Sequence, residues 1–303
     1  MNKALKADWL LLLTAVIWGC AFVAQREGMK YIGPFTFNGI RFFLGAMALI
    51  PLIVHRDRVR QKHCGSFRPM RLFSGITLGQ GLLVGAILFC GASLQQIGMV
   101  YTTAAKGGFI TGLYVILVPF IGRFLGQRIG TGGWIGAMLA TIGLFFLSIN
   151  EDLAFAPGDL WVLLGAIFWS AHVLLIGWLS PRIEPVQLAC AQFLVCSLLS
   201  LIMAALIEST TADAIRSAMI PILYGGFFSV GIAYTLQVVA QQDAPPTHAA
   251  VILSMETVVA AIAGWIILGE GLSPRAICGC ALMLAGMLVV QLAPLIGRKP
   301  SLS

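Results

Sequence analysis

The sequence predicts an all-α integral membrane protein of ten transmembrane helices, arranged as two inverted five-helix repeats. Three observations carry this prediction. Charge is too sparse for a solvated globule, apolar runs recur at membrane-spanning length, and the second half of the chain repeats the first.

Of 303 residues, 59% are hydrophobic and only 10% charged, whereas a soluble domain carries about 25% charged residues. A length-based count of soluble domains therefore does not apply. Apolar runs place spans at 9–26, 35–54, 72–97, 103–121, 133–149, 159–178, 186–206, 219–240, 248–268 and 274–292. Each approaches the length a helix needs to cross about 30 Å of hydrocarbon. Lone strands leave their backbone unsatisfied in lipid, and a barrel would alternate in segments of about ten residues.

Several ends carry helix punctuation. Asp159 follows Pro157-Gly158 as a cap, Ser273 precedes Pro274, and Pro245-Pro246-Thr247 closes one helix and opens the next. Lys3 and Lys6 precede the first span as they would a signal peptide. No small-x-small cleavage site follows, and the span has a partner copy later, so it is read as retained.

Charge sets the orientation. With the N-terminus inside, Lys3, Lys6, Arg56, Arg58, Arg60, Lys62, Arg68, Arg71, Arg123, Arg128, Arg182, Arg298 and Lys299 fall on the inner side. Arg26, Lys30, Arg216 and Arg275 fall on the outer side. This positive-inside bias predicts cytoplasmic termini, and it accounts for the net charge of +7 without any nucleic-acid partner. Among the seven cysteines, six sit in spans and Cys64 lies in a basic inner loop. Neither a disulfide framework nor a metal site is expected.

The repeat decides the architecture. At a shift of 151 residues Trp18 meets Trp169, Pro34 meets Pro185, Arg41 meets Gln192 and Phe42 meets Phe193. Later the shift is 143, where Leu125-Gly126-Gln127 meets Leu268-Gly269-Glu270 and Thr111 meets Ser254. The longer basic loop of the first half accounts for the difference, with a further slip near Leu94-Gln95 and Leu236-Gln237. Two units are expected, 1–150 and 151–303. With five spans each, the second enters from the opposite side, so the halves are inverted, an arrangement typical of secondary transporters.

The matched segments resemble the EamA-type branch of the drug/metabolite transporter superfamily, from about Trp9 to Leu292. Met255-Glu256-Thr257 through Leu268-Gly269-Glu270 is similar to its Glu-Pro…Leu-Gly-Glu signature, with Thr257 where proline is common. Gly112-Leu113-Tyr114-Val115-Ile116-Leu117-Val118-Pro119 resembles the equivalent fourth-span segment, and Trp18 fits the first span. Gln127-Arg128 stands where Glu-Arg is frequent. The resemblance implies a central cavity between the halves, a small organic solute such as an amino acid, and no organic cofactor. In bacteria it implies an inner-membrane, usually outward-moving carrier.

Ionisable groups within spans are functional candidates because lipid penalises them. Glu256 lies roughly 12 Å into the ninth span at 1.5 Å per residue. It reads either as a proton-coupling or solute-contacting carboxylate, or as a structural acid bonded to a neighbouring helix. Arg41 borders the cavity or snorkels outward, and its repeat partner Gln192 lies at mirrored depth. Lys106, about one turn into the fourth span, reads better as snorkelling. If Arg41, Lys106 and Glu256 all faced the cavity, their sum of +1 would favour an anionic or zwitterionic solute. Trp18 and Trp169 lie mid-span, away from the interfacial belt, and either line the cavity or pack between helices. His172, Tyr234, Gln237 and Gln95 are further polar positions on cavity-prone spans. Glycines four apart, at 75 and 79, 81 and 85, 108 and 112, and 122 and 126, suit close helix contact.

The expected function is thus a secondary transporter working by alternating access, as a monomer or homodimer. A coupled proton or counter-solute supplies the energy, since no Walker A sequence is present. The alternatives are an intramembrane enzyme or a channel. The sequence contains neither His-Glu-x-x-His nor Gly-x-Ser-x-Gly, and a fused inverted pair suits a gated cavity better than a pore.

Overall fold

The computed structural model describes residues 3–64, 75–148, 157–269, 271 and 273–296, without the side chains of 60–64, 75–77, 147–148, 268 and 294–296. Arg68, Arg71, Glu270, Arg298 and Lys299 lie outside the described residues, as do the side chains of Arg60, Lys62 and Cys64. The described residues are helical with no strand among them. Nine stretches among them are long and apolar enough to cross a membrane, and Thr131–Phe146 is a shorter apolar helix at the position of the fifth span.

The first half runs α1 (Lys3–Gly28), α2 (Pro34–Cys64), α3 (Gly75–Met99), α4 (Ala104–Gly112), α5 (Tyr114–Phe124) and α6 (Thr131–Ser148). The second runs α7 (Pro157–Leu179), α8 (Pro185–Ile207), a short α9 (Ala212–Ser217) and α10 (Met219–Leu223). A π-helical segment (Tyr224–Tyr234) follows, then α11 (Thr235–Ala240), α12 (Pro246–Leu253), α13 (Met255–Leu268) and α14 (Pro274–Ile296).

Caps fall largely where turn chemistry puts them. Thr103 and Glu184 accept the backbone N–H three residues on, at 3.1 and 2.8 Å. Ser273 accepts from the Ala276 amide at 3.2 Å. Asp159 does not cap: α7 already begins at Pro157, and the acid sits in its first turn, where a helix N-terminus also favours negative charge.

Two spans expected to be continuous are broken. The fourth divides at Leu113 (φ −58°, ψ −16°) and the ninth at Ser254 (φ −60°, ψ −15°). In each, an amide bonds three residues back, Ile116 to Leu113 and Thr257 to Ser254, which tightens one turn. The kinks have nearly the same dihedrals and fall within two residues of corresponding places in the two halves. The Leu-Gly matches also share a physical cause. Gly126 and Gly269 take φ of +81° and +69°, the left-handed conformation that ends a helix and suits glycine.

Packing follows the same two-fold relationship. The last spans, α6 and α14, pack on each other, as do α2 and α8. The contact of α7 with α3 has its counterpart in α1 against the π segment, and α3 against α8 is mirrored by the π segment against α2. Small residues permit this closeness where lipid offers no hydrophobic drive. A Cβ on Gly143 would lie 2.5 Å from the Gly279 carbonyl, and one on Gly85 2.6 Å from Val195 Cβ. Gly81, Gly108 and Gly112 are likewise set against neighbouring helices, whereas Gly79 and Gly126 face open space. Large apolar side chains such as Leu206, Ile220 and Ile266 point outward.

Candidate functional site

A pocket lies between the halves. Its walls come from α1, α2, α3, α4, α5 and α7 together with the π segment, α11, α12 and α13. Eight of the ten residues singled out from sequence line it: Trp18, Arg41, Gln95, Trp169, His172, Tyr234, Gln237 and Glu256.

Tyr234, the last residue of the π segment, is the hub of the aromatic wall. Its ring centroid lies 4.5 Å from Trp18, 6.0 Å from Trp169 and 6.1 Å from His172. The two repeat-related tryptophans are held by different acceptors. Trp169 Nε1 donates to Gln95 Oε1 at 2.8 Å, whereas Trp18 Nε1 donates to the Ser229 carbonyl at 3.2 Å. The wide π turn also offers its Ala233 carbonyl to Thr14 Oγ1 at 3.2 Å. Such turns recur at functional sites because they re-aim the groups they carry.

Arg41 does not snorkel. It is 2% exposed, with its guanidinium carbon 5.4 Å from the Phe37 ring centroid and 5.0 Å from that of Phe42. Nε donates to Asn38 Oδ1 at 3.0 Å. Among the described residues no carboxylate lies within ion-pair distance of it. Gly225 makes the room, since a Cβ there would lie 3.2 Å from Arg41 Cδ.

Glu256 is buried in the first turn of α13, near the positive end of that half-helix. It faces Tyr114, the first residue of α5. Among the described residues, His172 Nδ1 and Gln237 Oε1 have no hydrogen-bond partner. Buried polar atoms left so cost about 1–3 kcal/mol each.

Gln192 and Lys106 do not line the pocket. Gln192 stands behind the pocket, where its Oε1 lies 2.8 Å from His172 Nε2 and fixes the ring. Lys106 is also off the pocket, because its Nζ lies 2.6 Å from Asp159 Oδ2. Gln25, Ser229 and Tyr114 line the pocket and were not singled out from sequence. Gln25 was within reach, as it follows Trp18 by two helical turns on the same face.

A model of the EamA-like transporter family matches the chain twice, over residues 5–149 and 156–292. An uncharacterized transporter of Archaeoglobus fulgidus is 31% identical over 96% of this chain and 87% of its own. A probable amino-acid metabolite efflux pump of Salmonella typhimurium is 26% identical, with 94% of each chain covered. A probable terminal-alkyne amino-acid exporter of Streptantibioticus cattleyicolor is also 26% identical, over 98% of this chain and 97% of its own. One crystal structure superposes with a TM-score of 0.74 over 96% of this chain and 99% of that one, at 18% identity, a likeness of fold.

Proposed function

The chain belongs to the EamA-like transporter family, and we propose that it is a secondary carrier for an amino-acid-like zwitterion. On this reading the halves, 1–150 and 151–303, rock about the central pocket and open it to each face in turn. The carrier works outward across a bacterial inner membrane with both termini cytoplasmic, an orientation supported by the bias of Lys and Arg to one side.

The observation that carries the reading is Arg41. A guanidinium buried at a pocket wall without a carboxylate counter-ion is costly within a membrane. A solute carboxylate, gripped through the planar guanidinium fork, meets that need. Glu256 supplies the complementary charge for an ammonium, and Trp18, Trp169 and Tyr234 supply flat apolar surface between them. With Lys106 held by Asp159, Arg41 and Glu256 bring a summed formal charge of zero to the pocket. That balance favours a zwitterion over a simple anion. The names of the Salmonella and Streptantibioticus relatives support the same class of solute and the outward direction.

Glu256 is also the group assigned to proton coupling, being a buried carboxyl at the solute's own site. The test is a metabolite screen in overexpressing cells. One amino-acid-like compound should rise outside the cells, and the rise should vanish with Arg41→Ala and with Glu256→Gln. A rise that persists in both variants would remove these residues from the site.

A further inference from the structure

Two carboxylate contacts stand at opposite ends of the pocket. At the face that carries the N-terminus, His248 Nε2 lies 2.6 Å from Asp8 Oδ1 and joins α12 to α1. At the opposite face, Lys106 Nζ lies 2.6 Å from Asp159 Oδ2 and joins α4 to α7. Thr102 Oγ1 donates to that same carboxylate at 3.3 Å. Each pair crosses from one half of the chain to the other.

The two pairs occupy similar places in the two halves. Asp8 and Asp159 are 151 residues apart, the shift that relates Trp18 to Trp169. Each acid precedes its pocket tryptophan by ten residues, roughly 15 Å along a helix at 1.5 Å per residue. Lys106 and His248 are each the third residue of a half-helix, after the caps Thr103 and Pro245. Each precedes a pocket residue, Thr111 and Leu253 respectively, by five positions. The pairs therefore bracket the pocket at matched distances along its walls.

We propose that these pairs are the two latches of the carrier. Asp8–His248 shuts the pocket toward the N-terminal face, and Lys106–Asp159 shuts it toward the opposite face. The proposal rests on the carrier reading above. Rocking two inverted halves parts at one face the groups it holds together at the other. A buried carboxylate stripped of its partner is costly, so each pair parts only as its mouth opens and water reaches the acid. Both pairs are closed here, as they would be in an occluded conformation.

A pocket cysteine at position 25 reads the state of each mouth. Gln25→Cys is placed in the full chain freed of its native cysteines and reconstituted in vesicles. A membrane-impermeant maleimide is then applied to one face at a time. Asp159→Asn should raise labelling from the face opposite the N-terminus by about fivefold or more, the size of a modest coupling, and lower it from the other. Asp8→Asn should do the reverse. Exchanging the charges, Lys106→Asp with Asp159→Lys, should return labelling toward the parent, which a mere folding defect would not do. If Asp159→Asn does not fold, Lys106→Met provides the same reading.

Unchanged rates in both acid variants, or a rise from the same face in both, would overturn the latches. Solute counterflow by the chain with Gln25 intact, in parallel vesicles, separates the two claims. Intact counterflow with unmoved labelling sinks the latches alone. Opposite labelling shifts beside a Gln25-intact chain that carries no amino acid support the latches and count against the solute.

Discussion

The indole nitrogen of Trp169 donates to Gln95 Oε1 at 2.8 Å, tying α7 of the second half to α3 of the first. The same oxygen accepts from Thr111 Oγ1 at 3.3 Å, and Gln95 Nε2 donates to Gln25 Oε1 at 2.9 Å. One amide thus fixes an aromatic wall of the pocket from four helices, α1, α3, α4 and α7.

Gln95→Leu should leave the Trp169 N–H and the Gln25 carbonyl oxygen unpaired, at about 1–3 kcal/mol each. The expected outcome is a melting temperature lower by several degrees and weaker solute binding, read by thermal unfolding and titration. A variant as stable as the parent would show that the amide does not hold the wall.

Arg41→Lys keeps the charge but loses the bidentate fork. Solute affinity should fall about tenfold in that variant, and further in Arg41→Ala, since hydrogen bonds to charged groups contribute about 1.5–3 kcal/mol. Equilibrium titration checks this. Parent-like affinity in Arg41→Ala would mean that the solute does not meet this guanidinium.

Much of the fold was legible in the sequence. Trp18 with Trp169 and Leu125-Gly126 with Leu268-Gly269 carried the repeat, and hydropathy placed the ten apolar stretches, although α1 begins six residues before its expected start and α2 runs ten residues past its expected end. What hydropathy does not report is a one-residue change of helical register. The kinks at Leu113 and Ser254 and the π segment at Tyr224–Tyr234 leave the apolar content of their spans unaltered. Direction around a helix was also hidden. Lys106 looked like a lone cation near a boundary, and its partner Asp159 looked like a cap, because nothing in either span alone brings α4 against α7. Asp8 and His248 passed unremarked at span ends, although the 151-residue shift already related Asp8 to Asp159.

Gly126→Ala should lower stability by about 1–2 kcal/mol, the cost of a left-handed backbone for a residue with a Cβ. A Cβ there meets nothing within 4 Å, so no clash adds to the figure. Thermal unfolding should register the loss while solute affinity stays at the parent value. A large change in affinity would show that this turn does more than end α5.

Glu256→Gln separates carrying from coupling. An amide at this position keeps a polar group of the same size but exchanges no proton. Uphill transport driven by a pH gradient should be lost, while exchange of solute for solute persists, though with weaker affinity. Uphill transport by Glu256→Gln at the parent rate would place the coupling group elsewhere.

The central claim is that the pocket between the halves carries an amino-acid-like zwitterion across the membrane. Counterflow in vesicles reconstituted with the full chain tests it most directly. Vesicles loaded with unlabelled amino acid should take up the labelled compound transiently and saturably, and Arg41→Ala should abolish that uptake. Flux that rises in proportion to concentration without saturating, or saturable uptake left intact by Arg41→Ala, would contradict it.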